Sequence, residues 1–229
     1  MNQFKTFCAL LLLLINISLA NAQSIKADQY VKIETSLGTM VFKLSALTPN
    51  HSSNFIKLAK KGYFNAYDFN RVIKGFVIQG GETDSAYAAM EKSGQIIKRM
   101  PAEFNKALFH QKGALAAGRD DNKDKSSFFG QFYVVDGKKY TDAQLDAMEK
   151  RVGKDFHFSA EARKVYQEIG GTPSLDQNYT VFGQLVKGWE VLELIASAKK
   201  DKTDRPLVKL STKVSVLSKK EISALLASK

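Results

Sequence analysis

The apolar residues between Tyr30 and Leu217 fall into many short alternating runs, each a few residues long and bounded by glycine or charged turns. Val31 and Ile33, then Met40, Phe42 and Leu44, alternate with polar neighbours around Ser36-Leu37-Gly38, the pattern of a β-hairpin. Two further strands are expected within Tyr67–Gln79, turning at Lys74-Gly75. Others are expected at Gly113–Ala117, Gln131–Val135, Thr180–Val186 and Lys213–Leu217. Two short amphipathic segments, Asn50–Lys61 and Val191–Ala198, read as helices, the first opened by Pro49 and stopped by Gly62. This rhythm predicts an all-β domain with the sheet closed into a barrel and capped by the two helices, rather than a parallel α/β sheet. Only Thr141–Ile169 departs from it. That stretch is rich in helix formers, with Thr141 or Asp142 and then Ser159 as N-caps, and reads as a helical insertion between two strands. Lys219–Lys229 fits either a short helix or a frayed end.

Residues 1–22 carry one lysine, an apolar run from Phe7 and the small-residue end Ala20-Asn21-Ala22, the pattern of a cleavable signal peptide. The run is short of the roughly 20 residues that span a bilayer, so no membrane anchor is expected after cleavage. Cys8, the only cysteine, would leave with it. The exported chain must then be held by its core, with no disulfide, thiol catalysis or thiolate metal site. The expected organisation is a signal at 1–22, one domain at 23–217 containing the insertion at about 141–169, and a tail at 218–229. The net charge of +11 comes from scattered lysines with no nucleic-acid-binding motif around them, so a solvated basic surface is expected and no nucleic-acid partner.

The usual catalytic constellations are missing from the sequence. His51, His110 and His157 lie far apart without metal-ligand spacing, and packing or surface roles are expected for them. Gly80-Gly81 lacks the remainder of a phosphate loop, and no serine sits in a nucleophile elbow. Neither a metal nor another cofactor is expected. A reaction that needs no nucleophile, metal or acid/base pair is the rotation of an X-Pro amide, whose barrier of roughly 18–20 kcal/mol is resonance alone. A donor to the nitrogen as it pyramidalises, set beside an apolar proline pocket, is sufficient.

Phe69-Asn70-Arg71-Val72-Ile73-Lys74-Gly75-Phe76-Val77-Ile78-Gln79-Gly80-Gly81 places an arginine and such a pocket in one hairpin. The segment resembles the cyclophilin signature: aromatic-His-Arg, two β-branched residues, any residue, Gly-Phe, two apolar residues, Gln-Gly-Gly. Gln131-Phe132-Tyr133 is similar to the family's Gln-Phe-Phe strand. Leu175-Asp176 with Val181-Phe182-Gly183 is similar to its Leu-Asp…Val-Phe-Gly block. The resemblance spans about Val31 to Leu217, and implies a closed eight-stranded antiparallel barrel and peptidyl-prolyl cis/trans isomerase activity.

By the same resemblance Arg71 is the catalytic arginine, and Gln79 orients it and touches the substrate backbone. Phe76, Val77, Tyr133 and Leu175 wall the proline pocket; Gln131 and Phe132 contact substrate. Gly118 and Arg119 present backbone to the residue before proline, and Tyr179 packs a ring on the pocket. Asn70 stands in place of the family's His, Ser174 in place of a common Trp, Tyr179 in place of a common His and Arg119 in place of a common Asn. Loss of the Trp is expected to weaken binding of cyclosporin-like macrocycles. The expected partners are proline-containing extended or unfolded polypeptides, met by a monomer in a periplasm or outside the cell. A glycosylation acceptor, Asn178-Tyr179-Thr180, at the pocket rim favours a bacterial envelope. The alternative is a binding module or chaperone that holds proline segments with little catalysis.

Overall fold

Strand pairing begins where the alternation is strictest. In the computed structural model, which describes residues 28–152 and 155–227, β1 (Tyr30–Thr35) pairs antiparallel with β2 (Gly38–Leu44). Val31 faces Phe42 and Ile33 faces Met40, and all four are buried. The expected signal segment lies outside the described residues. Helix α1 (Pro49–Lys60) starts on Pro49, whose fixed φ suits a first helical position, and turns Phe55 and Ala59 inward. Strands β3 (Phe69–Ile73) and β4 (Val77–Gly81) follow, joined at Gly75, where φ of 75° demands glycine.

The next element is not foreseen in the sequence reading: α2 (Asp84–Lys92), capped by Thr83, whose hydroxyl accepts from the Ala86 amide at 3.1 Å. Strands β5 (Arg99–Met100), β6 (Ala114–Ala117), β7 (Ser127–Phe128) and β8 (Gln131–Val135) are short, as the alternation requires. The insertion forms α3 (Asp142–Val152) and α4 (Ala160–Glu168), with Thr141 and Ser159 accepting from Gln144 and Ala162 amides as caps. Arg163 clamps the two helices together through Asp142, Asp146 and Glu149 at 2.7–3.0 Å. β9 (Val181–Lys187), α5 (Trp189–Ala196), β10 (Lys213–Val216) and α6 (Lys219–Ala227) complete the described chain. Leu225 of α6 packs with Tyr30, Val41 and Leu217. Among the described residues no helix is long and apolar enough to cross a membrane.

Eight strands form one antiparallel sheet in the order β10-β1-β2-β9-β6-β8-β4-β3. It curls around Phe42, Phe64, Phe69 and Phe132, and is filled from its two ends by Phe55 of α1 and by Val191, Leu192 and Ile195 of α5. The sheet does not close, which corrects the expected barrel: β3 and β10 share no ladder, and only the bridge Asp68–Ser211 joins their approaches. The reason lies in the chain entering β10. Asp201 folds it back through bonds from the Thr203 and Arg205 amides, and Pro206 has no N–H to offer a ladder. A loop therefore lies along the β3 edge, its Asp204 and Leu210 carbonyls accepting from Val72 and Phe69 at 2.8 and 2.9 Å.

Candidate active site

The site grows from strand register. Arg71 on β3 pairs with Gln79 on β4, and Gln79 pairs with Tyr133 on β8, so one row crosses three strands on the sheet's outer face. Plain alternation from Phe69, which packs inward on Gly80, would have turned Arg71 inward too. The register slips between Phe69 and Arg71, leaving Asn70 as an extra residue, and this bulge puts Arg71 on the outer face. Asn70 locks the bulge by donating from Nδ2 to the Gly81 carbonyl at 2.7 Å.

A cavity of about 420 Å³ opens on this face. Arg71, Phe76, Val77, Gln79, Gly118, Arg119, Gln131, Tyr133, Leu175 and Tyr179 line it, ten of the residues named from sequence. Phe132 does not, which corrects its assignment to substrate. It stands between Gln131 and Tyr133 on a strand, so its side chain points to the opposite face, where it meets Phe55, Phe64 and Phe69 at 5.3–6.0 Å between centroids. Ser174 is exposed and adds no wall.

Phe76, Val77, Tyr133, Leu175 and Tyr179 pack as one apolar cluster, with the Tyr179 ring edge-on to Tyr133 at 5.9 Å. The guanidinium of Arg119 sits 4.7 Å over the Tyr179 ring and donates to the Asn178 carbonyl at 2.7 Å, so it holds the rim and is not free for substrate. Gly118 lies close under the Gln131 side chain, which a Cβ at that position would displace. Across the cavity, Arg71 is partly exposed and its guanidinium has no hydrogen-bond or ion-pair partner among the described residues. The expected support of Arg71 by Gln79 is not made, because Gln79 Nε2 turns to Asp84 Oδ1 at 3.5 Å, which also accepts from Gln131 Nε2 at 2.8 Å.

Asp84, at the start of α2, is thus a site residue that sequence reasoning missed; the signal was Thr83-Asp84, a cap followed by an acidic first turn. Tyr87 and Phe128, stacked at 3.6 Å, extend the same cavity beyond the glutamines.

Tyr133 directs its hydroxyl away from the cavity, to His110 Nε2 at 2.9 Å. Burial pushes this phenol well above the usual tyrosine range, so it remains a donor and its ring is the part offered to a ligand.

A second arrangement has the look of a nucleophilic triad. Ser127 Oγ lies 3.0 Å from His51 Nε2, and His51 Nδ1 lies 2.6 Å from Glu103. Both Ser127 and His51 are 1% exposed, and the space beside His51 is about 10 Å³, too small for any substrate. Its role is to tie α1 to the loop at Glu103 and to β7. Burial lowers the His51 pKa, with Glu103 opposing, while hydrogen bonds from His51 and Asn50 hold Glu103 below its ordinary range against its own burial. Because the folded histidine resists a proton that the unfolded one takes near pH 6.5, its contribution is complete above that pH. Denaturation measured as pH falls from 6.5 is expected to show a loss of up to about 1.4 kcal/mol per unit until the folded pKa is reached. His51→Gln should flatten that slope just below pH 6.5; an unchanged slope would remove His51 as its source.

Comparison with known proteins places this geometry. Residues 30–215 match the family model for "Cyclophilin type peptidyl-prolyl cis-trans isomerase/CLD". A protein of Staphylococcus saprophyticus named for peptidyl-prolyl cis-trans isomerase activity is 36% identical over 178 residues, 76% of this chain and 84% of its own. A similarly named protein of Staphylococcus haemolyticus is 34% identical over 180 residues, 77% of this chain and 85% of its own. The solved cyclophilin-type isomerase of Cryptosporidium parvum superposes with a TM-score of 0.59 at 22% identity, covering 83% of this chain and 98% of that one. The outward row of Arg71, Gln79 and Tyr133 is therefore carried on a shared fold, and the chain belongs to the cyclophilin-type peptidyl-prolyl cis-trans isomerase family.

Proposed function

We propose that the chain isomerises X-Pro bonds of exported polypeptides, with Arg71 as the donor and the Phe76–Tyr133–Leu175 cluster as the proline seat. The observation that carries this is one cavity that holds an uncommitted guanidinium opposite an apolar wall. The proline ring loses water against the wall, and Gln79 and Gln131, both turned to Asp84, offer amide groups to the neighbouring backbone. As the amide twists and its nitrogen becomes basic, the guanidinium donates to it and stabilises the twisted state more than either planar one. The Cryptosporidium parvum cyclophilin, also solved in the presence of the dipeptide Ala-Pro, supports a proline dipeptide as a suitable probe.

The activity test is magnetisation exchange between the cis and trans signals of an Ala-Pro peptide with catalytic amounts of protein. Acceleration supports the reading, whereas binding without acceleration would leave a proline-segment binding module. Export is tested separately, by expressing the full sequence in a bacterium with an envelope. A periplasmic product beginning at Gln23 supports it, and a cytoplasmic product beginning at Met1 would sink it.

A further inference from the structure

The insertion touches the proline pocket through four buried side chains. Tyr133, whose ring is a pocket wall, reaches His110 Nε2 at 2.9 Å. His110 Nδ1 reaches Asp176 Oδ1 at 2.7 Å, and Asp176 Oδ2 accepts from the Tyr166 hydroxyl of α4 at 2.6 Å. None of the four is more than 6% exposed. The donor order follows from chemistry: the carboxylate can only accept, so Nδ1 carries the hydrogen, and in the neutral imidazole Nε2 accepts from Tyr133. Each member thus fixes the next, from the insertion to the pocket.

The backbone is arranged to keep this line taut. Lys138 and Gly171 exchange two hydrogen bonds at 3.0 and 2.9 Å, closing the neck of the insertion, and Thr172 N donates to the His110 carbonyl at 2.8 Å. Asp176 also accepts from the His110 amide at 2.8 Å. It follows Leu175, another pocket wall, and Tyr179 N donates to the Leu175 carbonyl. A buried carboxylate left short of a donor would turn or draw in water, and both walls would shift with it.

We propose that Tyr166 is a positioning residue for isomerisation, and that the helical insertion is a strut which sets the angle of the Tyr133 ring through Asp176 and His110. This rests on the isomerase reading of the cavity. It predicts an effect on proline binding rather than on the twisted amide, because Arg71 lies across the cavity from the line.

The test uses the full chain with Tyr166→Phe, which removes only the hydroxyl and keeps the ring against Phe109 and Phe158. KM for an Ala-Pro peptide is expected to rise about threefold to tenfold with kcat within twofold. The His110 Nδ1–H and Tyr133 ring signals in NMR should move with it. Arg163→Ala is the comparison, since it frees the α3–α4 clamp while leaving the Tyr166 hydroxyl in place. It should leave KM and both signals near wild type. An unchanged KM in Tyr166→Phe overturns the proposal, and so does an equal rise in both variants, which would be general loosening. If wild type binds the peptide without accelerating exchange, the isomerase reading fails on its own. Peptide affinity of the two variants, with the same NMR signals, then decides the strut.

Discussion

Replacing Arg71 with alanine is expected to lower kcat/KM for an Ala-Pro peptide by about 100- to 1000-fold, the cost of removing one donor that acts in the transition state. The loss should fall on kcat more than on KM, because the apolar wall that seats the proline is untouched. Folding should survive: the guanidinium has no partner among the described residues, so truncation leaves no buried group unsatisfied. Arg71→Lys keeps the charge but not the planar fork and should recover only a small part of the rate. Exchange spectroscopy on the variants, with circular dichroism to confirm the fold, makes the comparison. A loss of less than about threefold in Arg71→Ala would mean that the donor is elsewhere.

Phe132→Ala is expected to do the reverse, costing about 3–5 kcal/mol of stability while sparing the site. The ring fills the middle of the curled sheet, 1% exposed, with Phe55, Phe64 and Phe69 edge-on to it. Its removal leaves a cavity that Gly80, on the facing strand, cannot fill. Urea denaturation reads the loss, and peptide titration of the protein still folded should give an affinity close to wild type. A stability change under about 1 kcal/mol with lost affinity would return Phe132 to the substrate pocket.

These two residues also show what the sequence could convey. The hairpin around Gly75, the caps at Thr141 and Ser159 and the strand at Gln131–Val135 rest on local chemistry, and each stands where it was expected. The pocket members were readable because the motif preserves their spacing. Phe132 was misassigned because a motif is a string, whereas a strand sends neighbouring residues to opposite faces. The bulge at Asn70 was hidden for the same reason, since local pattern does not reveal a slipped register. Asp84 was not singled out because the helix it opens was not foreseen in the sequence. The bond from His110 to Asp176 joins residues 66 apart in the chain, and no periodicity announces such a pair. The open seam depends on how a loop with Pro206 lies against a distant strand, again a matter of assembly rather than of local preference.

That seam gives the two sides of the site different backbone support. Tyr133 is mounted on β8, laddered on both flanks by β6 and β4, whereas Arg71 is mounted on β3, the last strand, whose outer neighbour is only a loop. On the proposed reading, the proline would be seated on a strand paired on both sides, and the donor would be carried by a strand paired on one side and bonded to a loop on the other. Under the proposed mechanism, a donor so placed would follow a nitrogen moving out of plane at the expense of a few loop bonds, leaving the strand beneath the ring paired on both flanks.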